Sequence, residues 1–239
     1  MEDTFCQSTP EQLQEELLFV VQGIKSQVLN QSSLAVGLEW KKSMPAKTES
    51  RIIKSNNEEQ LKKVSQEMAN CQLCPLSKTR HNLVFGDGNP NAQIVFVGEA
   101  PGADEDKQGL PFVGKAGQLL TKIIEAMGIK RKDVYICNIL KCRPPENRNP
   151  LPDEISLCEP FLKKQLQAIS PKVICALGTF AAQTLLKTDV TISLLRGRFH
   201  TYNGIKLMPT YHPAYLLRNP SAKKPVWEDV QMIMKEIQA

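Results

Sequence analysis

The chain has 239 residues, 41% of them apolar, and a formal net charge of +5. That length allows one good core with room for an appendage, and no apolar run reaches the ~18 residues of a membrane span. The start, MEDTFCQSTP, lacks the basic-then-apolar pattern of a secretory signal, so the chain reads as a soluble, cytoplasmic protein whose cysteines stay reduced and favour metal binding or burial over a disulfide framework.

Residues 11–30 read as an amphipathic helix, with Leu13, Leu17, Val20 and Val21 at helical spacing. Residues 41–60 are polar and lysine-rich without a usable period, which reads as a linker. Residues 1–58 are therefore expected to be an accessory helix plus linker, and 59–239 the main domain. A partner of the N-terminal helix stays unidentified. From residue 57 a helix runs into Cys71. The apolar run 92–98 predicts a buried strand ending in glycine. Residues 114–128 predict a helix with Leu119, Leu120, Ile123, Ile124 and Met127 on one face and Gly128 as its stop. A second strand is expected over 133–140, then a helix over 151–169 that opens with Pro152 and two acids at its positive end. A third strand (171–178), a helix (179–187), a hairpin turning at Asn203-Gly204 and a last helix complete the chain.

Strands alternating with helices imply a mostly parallel sheet covered on both faces, with ligands bound at the carboxyl ends of the strands. The segments that follow the strands are GEAPGADEDKQGLPFVG, the stretch from Asn138, and HPAYLLRNP. They converge on one rim. Of the seven cysteines, Cys137 and Cys175 sit inside strand runs and read as core, and Cys6 lies in the tail. Cys71 and Cys74 form a C-x2-C; with Cys142 and Cys158 they make four candidate thiolates. Spacing alone leaves both a tetrahedral zinc and an iron–sulfur cluster open.

CQLCPLSKTR, GEAPGADEDKQGLPFVGKAGQLL, VYICNILKCRPPENRNPLPDE and HPAYLLRN occur in that order. Together they resemble the family 4, iron–sulfur type of uracil-DNA glycosylase, over residues 60 to the end. The resemblance implies a three-layer α/β/α sandwich around a central, mostly parallel four-stranded sheet. It implies a [4Fe–4S] cluster on Cys71, Cys74, Cys142 and Cys158, and a monomeric enzyme of base excision repair that removes uracil from single- or double-stranded DNA and leaves an abasic site. Relatives that cross-link to DNA carry a histidine on an insertion after the second strand. Residues 138–152 contain neither, so turnover is expected and not a covalent adduct.

Cleaving an N-glycosidic bond puts positive charge on the sugar and negative charge on the departing base, which must first leave the stack. Phe112, in a loop between glycines, is the expected stacking platform. Asn138 ends an otherwise apolar strand, and its amide can accept from uracil N3–H and donate to O4. His212 is expected to donate to O2 as the uracil anion forms. Gly98, Glu99 and Ala100 complete the expected base pocket. An acid stands at the position of Ala100 in the better-known branch of the superfamily, so Glu99 and Glu105, or backbone carbonyls, are the candidates to position water. Leu216 or Leu217 is expected to wedge into the duplex, with Arg218, Arg143 and Arg148 toward phosphates. His81 reads as a loop residue or a phosphate contact. A retired glycosylase fold that only docks DNA or a replication protein is the alternative. A cysteine hydrolase built on Cys175 and His212 fails, because Cys175 lies inside an apolar strand.

Overall fold

Four apolar runs carry little polar–apolar alternation, as strands buried on both faces do. In the computed structural model, which describes residues 47–238, they become the parallel core of one sheet. In chain order the strands are β1 (Asp87–Gly88), β2 (Ile94–Gly98), β3 (Tyr135–Asn138), β4 (Val173–Leu177), β5 (His200–Tyr202) and β6 (Ile205–Thr210). Their order across the sheet is β1-β3-β2-β4-β6-β5. The pairs β2–β3, β2–β4 and β4–β6 are parallel; β1 and β5 pair antiparallel at the two edges. The expected four strands are thus the parallel ones, and two short edge strands bring the sheet to six. β1 has two residues, too few to show a period. The β5–β6 hairpin turns at Asn203 and Gly204 with φ of 48° and 84°, the left-handed pair such a turn requires.

Helices cover both faces. They are α1 (Lys47–Met68), α2 (Ala103–Gln108), α3 (Lys115–Ala126), α4 (Pro152–Ile169), α5 (Thr179–Leu186), α6 (Ile192–Leu195), α7 (Pro213–Arg218) and α8 (Lys223–Gln238). On one face Val95, Val97, Cys137 and Ile174 pack with Leu61 of α1, Leu162 and Leu166 of α4 and Leu185 of α5. On the other, Phe96, Ile136, Cys175 and Met208 pack with Leu120 and Ile124 of α3 and Val226 and Val230 of α8. Cys137 and Cys175 are fully buried, one in each core.

One local reading changes. The stretch 47–60, expected to be linker, is the beginning of α1. The helix is anchored downstream by Leu61, Val64 and Met68, all buried, and propagation from an anchored turn needs no apolar period of its own. The boundary expected at 58/59 falls inside this helix, and the helix expected over 11–30 lies outside the described residues. The stretch ADED opens the short helix α2. Three acids in its first turn suit a helix N-terminus.

Gly117, in the first turns of α3, lies under the loop that carries Phe112: a Cβ there would stand 1.8 Å from the Phe112 carbonyl oxygen. Alanine for glycine in a helix ordinarily gains ~1 kcal/mol. Here Gly117→Ala should instead destabilise by ~1–3 kcal/mol, the usual cost of overpacking, as read from urea unfolding. A gain in stability would show that the loop does not rest on α3.

Candidate active site

The parallel register sets Gly98 of β2 opposite Asn138 of β3 at the carboxyl edge of the sheet. A Cβ on Gly98 would lie 2.4 Å from Asn138 Oδ1 and 2.5 Å from Phe112 Cζ. Amide, ring and backbone therefore meet at one point, which only glycine permits. Asn138 is 1% exposed, and its Oδ1 has no hydrogen-bond partner among the described residues. A buried acceptor without a donor is costly and marks a place where a donor is missing. The carbonyl of Asn138 accepts from Nζ of Lys141 at 2.7 Å, and that lysine is itself fully buried.

Phe112 has a φ of 52°, a left-handed backbone that bulky residues avoid. Neighbouring groups hold it there. Nη2 of Arg131 donates to the Pro111 carbonyl at 2.7 Å, while Nη1 reaches Thr121 Oγ1 at 3.0 Å. Glu105 Oε1 accepts the backbone N–H groups of Val113 (2.9 Å) and Gly114 (3.0 Å), and Oε2 accepts that of Gly102 (3.1 Å). Both oxygens of Glu105 are thus engaged in fixing the loop. Glu99 has no such tie among the described residues, and burial pushes its carboxyl above the ordinary range. Glu99, Ala100 and Glu105 all line the cleft.

His212 is the N-cap of α7. Its Nδ1 accepts the Ala214 N–H at 3.1 Å, which leaves the ring proton on Nε2. Burial, with the Arg218 cation nearby, lowers its pKa to about 4 against a weaker opposing pull from Glu105. The ring centroid lies 5.6 Å from that of Phe112. Behind the strand that delivers it, Thr210 Oγ1 donates to the buried Asp229 at 2.6 Å, and Arg196 pairs with Asp229 at 2.9 and 3.0 Å.

Glu99, Ala100, Glu105, Phe112, Asn138 and His212 line one cleft of about 670 Å³, together with Arg148, Tyr211, Tyr215 and Arg218. Arg148 is committed to Glu154 through two bonds of 2.9 and 2.6 Å. Arg143 bonds Asn147 Oδ1 at 2.8 Å and is absent from the cleft lining. Of the two leucines expected as a wedge, Leu216 is 1% exposed and packs in the core, whereas Leu217 is 49% exposed. Burial thus removes Leu216 and leaves Leu217. His81 pairs with the buried Asp106 at 2.7 Å, a tie between loop and α2.

Cys71 and Cys74 follow α1, Cys142 follows β3, and Cys158 lies on α4. The Cys142 thiol, raised by burial, also feels the charges of Cys74 and Cys71. Cys158, pushed up by burial to about 11, feels those of Cys142 and Cys74. Each sulfur of this second pair has a donor: Nη1 of Arg80 at 3.1 Å from Cys142 Sγ, and the Lys141 backbone N–H at Cys158. Among the described residues, no three Cys, His, Asp or Glu side chains are grouped as ligands of a single metal ion. Sequence reasoning missed Arg80, Lys141 and Arg131, whose only signal was a cation beside a cysteine or in a loop.

The model of the uracil DNA glycosylase superfamily matches residues 85–231. The type-4 uracil-DNA glycosylase of Thermotoga maritima is 48% identical over 178 residues, 73% of this chain and 93% of that protein. That of Archaeoglobus fulgidus is 45% identical over 183 residues, 73% of this chain and 92% of the other. The chain belongs to the type-4 branch of the uracil-DNA glycosylase superfamily. A type-5 uracil-DNA glycosylase of Pyrobaculum aerophilum is more distant, 32% identical over 146 residues and 54% of this chain. All four strand ends that build the cleft fall within the span matched by the superfamily model.

The folded-state pKa of His212 lies below its ordinary 6.5. Between those values the unfolded chain takes up this proton and the folded glycosylase does not, so His212 makes stability fall as pH drops from 6.5 to about 4 and level off below. Urea unfolding of wild type and His212→Gln should therefore show a difference that shifts against wild type through that window. A difference independent of pH would mean that the imidazole is not held neutral.

Proposed function

We propose that the chain is a monofunctional uracil-DNA glycosylase that flips uracil out of DNA, single- or double-stranded, and hydrolyses its N-glycosidic bond, leaving an abasic site for base excision repair. The observation that carries this reading is the orphaned Oδ1 of Asn138, buried against Phe112 in the cleft that also holds His212. An amide there matches the uracil edge, accepting from N3–H and donating to O4. Cytosine offers the opposite pattern at both positions. Phe112 stacks on the base, and its clamped loop keeps the ring in place before the base arrives.

Bond cleavage leaves the electron pair of the glycosidic bond on the uracil. His212, neutral with its proton on Nε2, donates to O2 as that charge grows. A neutral donor stabilises the anion without protonating it outright. Water then attacks the sugar from the face opposite the leaving base. Glu99, partly buried and without a side-chain bond among the described residues, is the acid we assign to hold it, while Glu105 is a positioning residue for the Phe112 loop. Leu217 fills the gap left by the flipped base, and Arg218 contacts a flanking phosphate. We assign the glycosylase domain to the residues from the start of α1 onward and an accessory role to those before it, and we read the enzyme as a cytoplasmic monomer.

Cys71, Cys74, Cys142 and Cys158 are the residues that would hold a [4Fe–4S] cluster. Cys142 within reach of Cys71 and Cys74, and Cys158 within reach of Cys142 and Cys74, with donors on two of the sulfurs, suit it: each thiolate of a cubane binds its own iron, so the sulfurs need not converge on one ion. When bound, such a cluster supplies a rigid cross-link between the segment after α1, the loop after β3 and α4. Cys142 lies in that loop four residues beyond Asn138, so anchoring it also steadies the base pocket.

An oligonucleotide with one uracil should be cut at that site after treatment with protein and then alkali. His212→Ala should slow single-turnover excision by ~10²-fold or more, the cost of one oxyanion-type donor, with DNA affinity little changed. No cleavage by the wild-type protein would leave a DNA-docking module as the surviving reading. The protein should also be brown, with iron and sulfide in about equal amounts. Cys142→Ser should lose colour, stability and activity together, while Cys137→Ser keeps the colour. Zinc without iron in protein purified without oxygen would overturn the cluster and leave the four ligands standing.

A further inference from the structure

Two tyrosines that line the cleft have no part in the chemistry above. Tyr211 and Tyr215 stack with ring centroids 5.0 Å apart and planes 30° from parallel. Tyr215 is 40% exposed, so its ring is no core residue, whereas Tyr211 packs partly buried against the core. Tyr211 is the inner ring: the Arg196 guanidinium sits 5.5 Å from its centroid, and its hydroxyl reaches Ser193 Oγ at 3.5 Å. Arg196 is in turn fixed to the buried Asp229. The outer ring therefore rests on an inner ring that is braced from behind. A braced, exposed aromatic face is what base-stacking proteins present.

The geometry points to a second base-binding site: Tyr215, backed by Tyr211, is a stacking platform for the nucleobase next to the flipped uracil. This inference rests on the glycosylase reading, and two observations choose its occupant. Tyr211 immediately precedes His212, and both tyrosines line the same cleft as Asn138 and His212. A base on the platform thus belongs to the same strand as the base in the pocket. Arg218, one helical turn beyond Tyr215, also lines that cleft and offers a cation to the intervening phosphate. Once uracil leaves the stack, its neighbour loses a stacking partner, and in single-stranded DNA it has no paired strand to hold it. The platform replaces that lost contact. It should matter more on single strands than on duplexes, and it is indifferent to base identity because every base has a π-face.

The test is equilibrium binding, by fluorescence anisotropy, of a single-stranded oligonucleotide carrying 2′-fluoro-2′-deoxyuridine, which resists cleavage. Its neighbours are natural bases, or a tetrahydrofuran spacer on the 5′ or the 3′ side. Tyr215→Ala should weaken binding to the natural oligonucleotide about tenfold, the order of one base–aromatic stack, and Tyr215→Phe should not. With a spacer on the contacted side, wild type should lose the same factor and Tyr215→Ala should lose no more. Equal binding by wild type and Tyr215→Ala would overturn the platform. So would a Tyr215→Ala loss that persists in full with either spacer, since the ring would then be serving the protein or a protein partner and not a base. If the natural oligonucleotide binds no better than its thymine counterpart, the uracil reading fails, and the spacer comparison still reports on the platform.

Discussion

There is no room for a side chain on Gly98, and the site depends on that absence. The β2–β3 register puts Gly98 beside Asn138, and the missing Cβ lets the Phe112 ring and the Asn138 amide approach the same point. A methyl group there would push the ring off and block the acceptor. The parallel core serves to hold this contact at its carboxyl edge, where a loop, an amide and a histidine arrive from three strands.

The approach is not relaxed. Phe112 sits at positive φ and Asn138 Oδ1 is buried without a donor among the described residues. Each costs free energy of the order of 1–3 kcal/mol. Surrounding ties offset the strain: Glu105 and Arg131 hold the loop on both sides of Phe112, and Lys141 holds the Asn138 carbonyl. Strain kept in place by such ties is pre-organisation. The pocket has the shape of its complex before the base enters, and the base supplies the missing donor. The same logic applies to His212, whose Nδ1 is occupied by its own helix so that Nε2–H is the only proton left to offer.

Much of this was legible in the sequence because two physical signals are strong. Strands buried on both faces appear as apolar runs, so the parallel strands were readable. A polar residue closing such a run, Asn138, stands out. His212 stood out as one of three histidines in the chain and as part of a segment on the expected rim. What was not legible depends on phase and on tertiary partners. A six-residue helix such as α7 is too short to fix its rotation, so nothing in HPAYLLRN says that Leu216 turns inward and Leu217 outward. Glu105 reads as one acid among several until its oxygens are seen to accept three backbone N–H groups. Arg80 and Lys141 look like surface cations, yet one reaches a sulfur and the other is fully buried. The stacking of Tyr211 on Tyr215 depends on the chain turning into α7 just after β6.

The central claim is that the amide of Asn138 chooses the base. It is tested most directly by the ratio of uracil to cytosine excision, measured under single turnover for wild type and Asn138→Asp on otherwise identical oligonucleotides. Because both rates come from the same preparation, incomplete folding cancels. A site built to hydrogen-bond its substrate loses discrimination heavily when a donor becomes an acceptor. The ratio should fall by at least ~10²-fold, through slower uracil release and the appearance of weak cytosine release. An unchanged ratio would mean that something other than Asn138 reads the base.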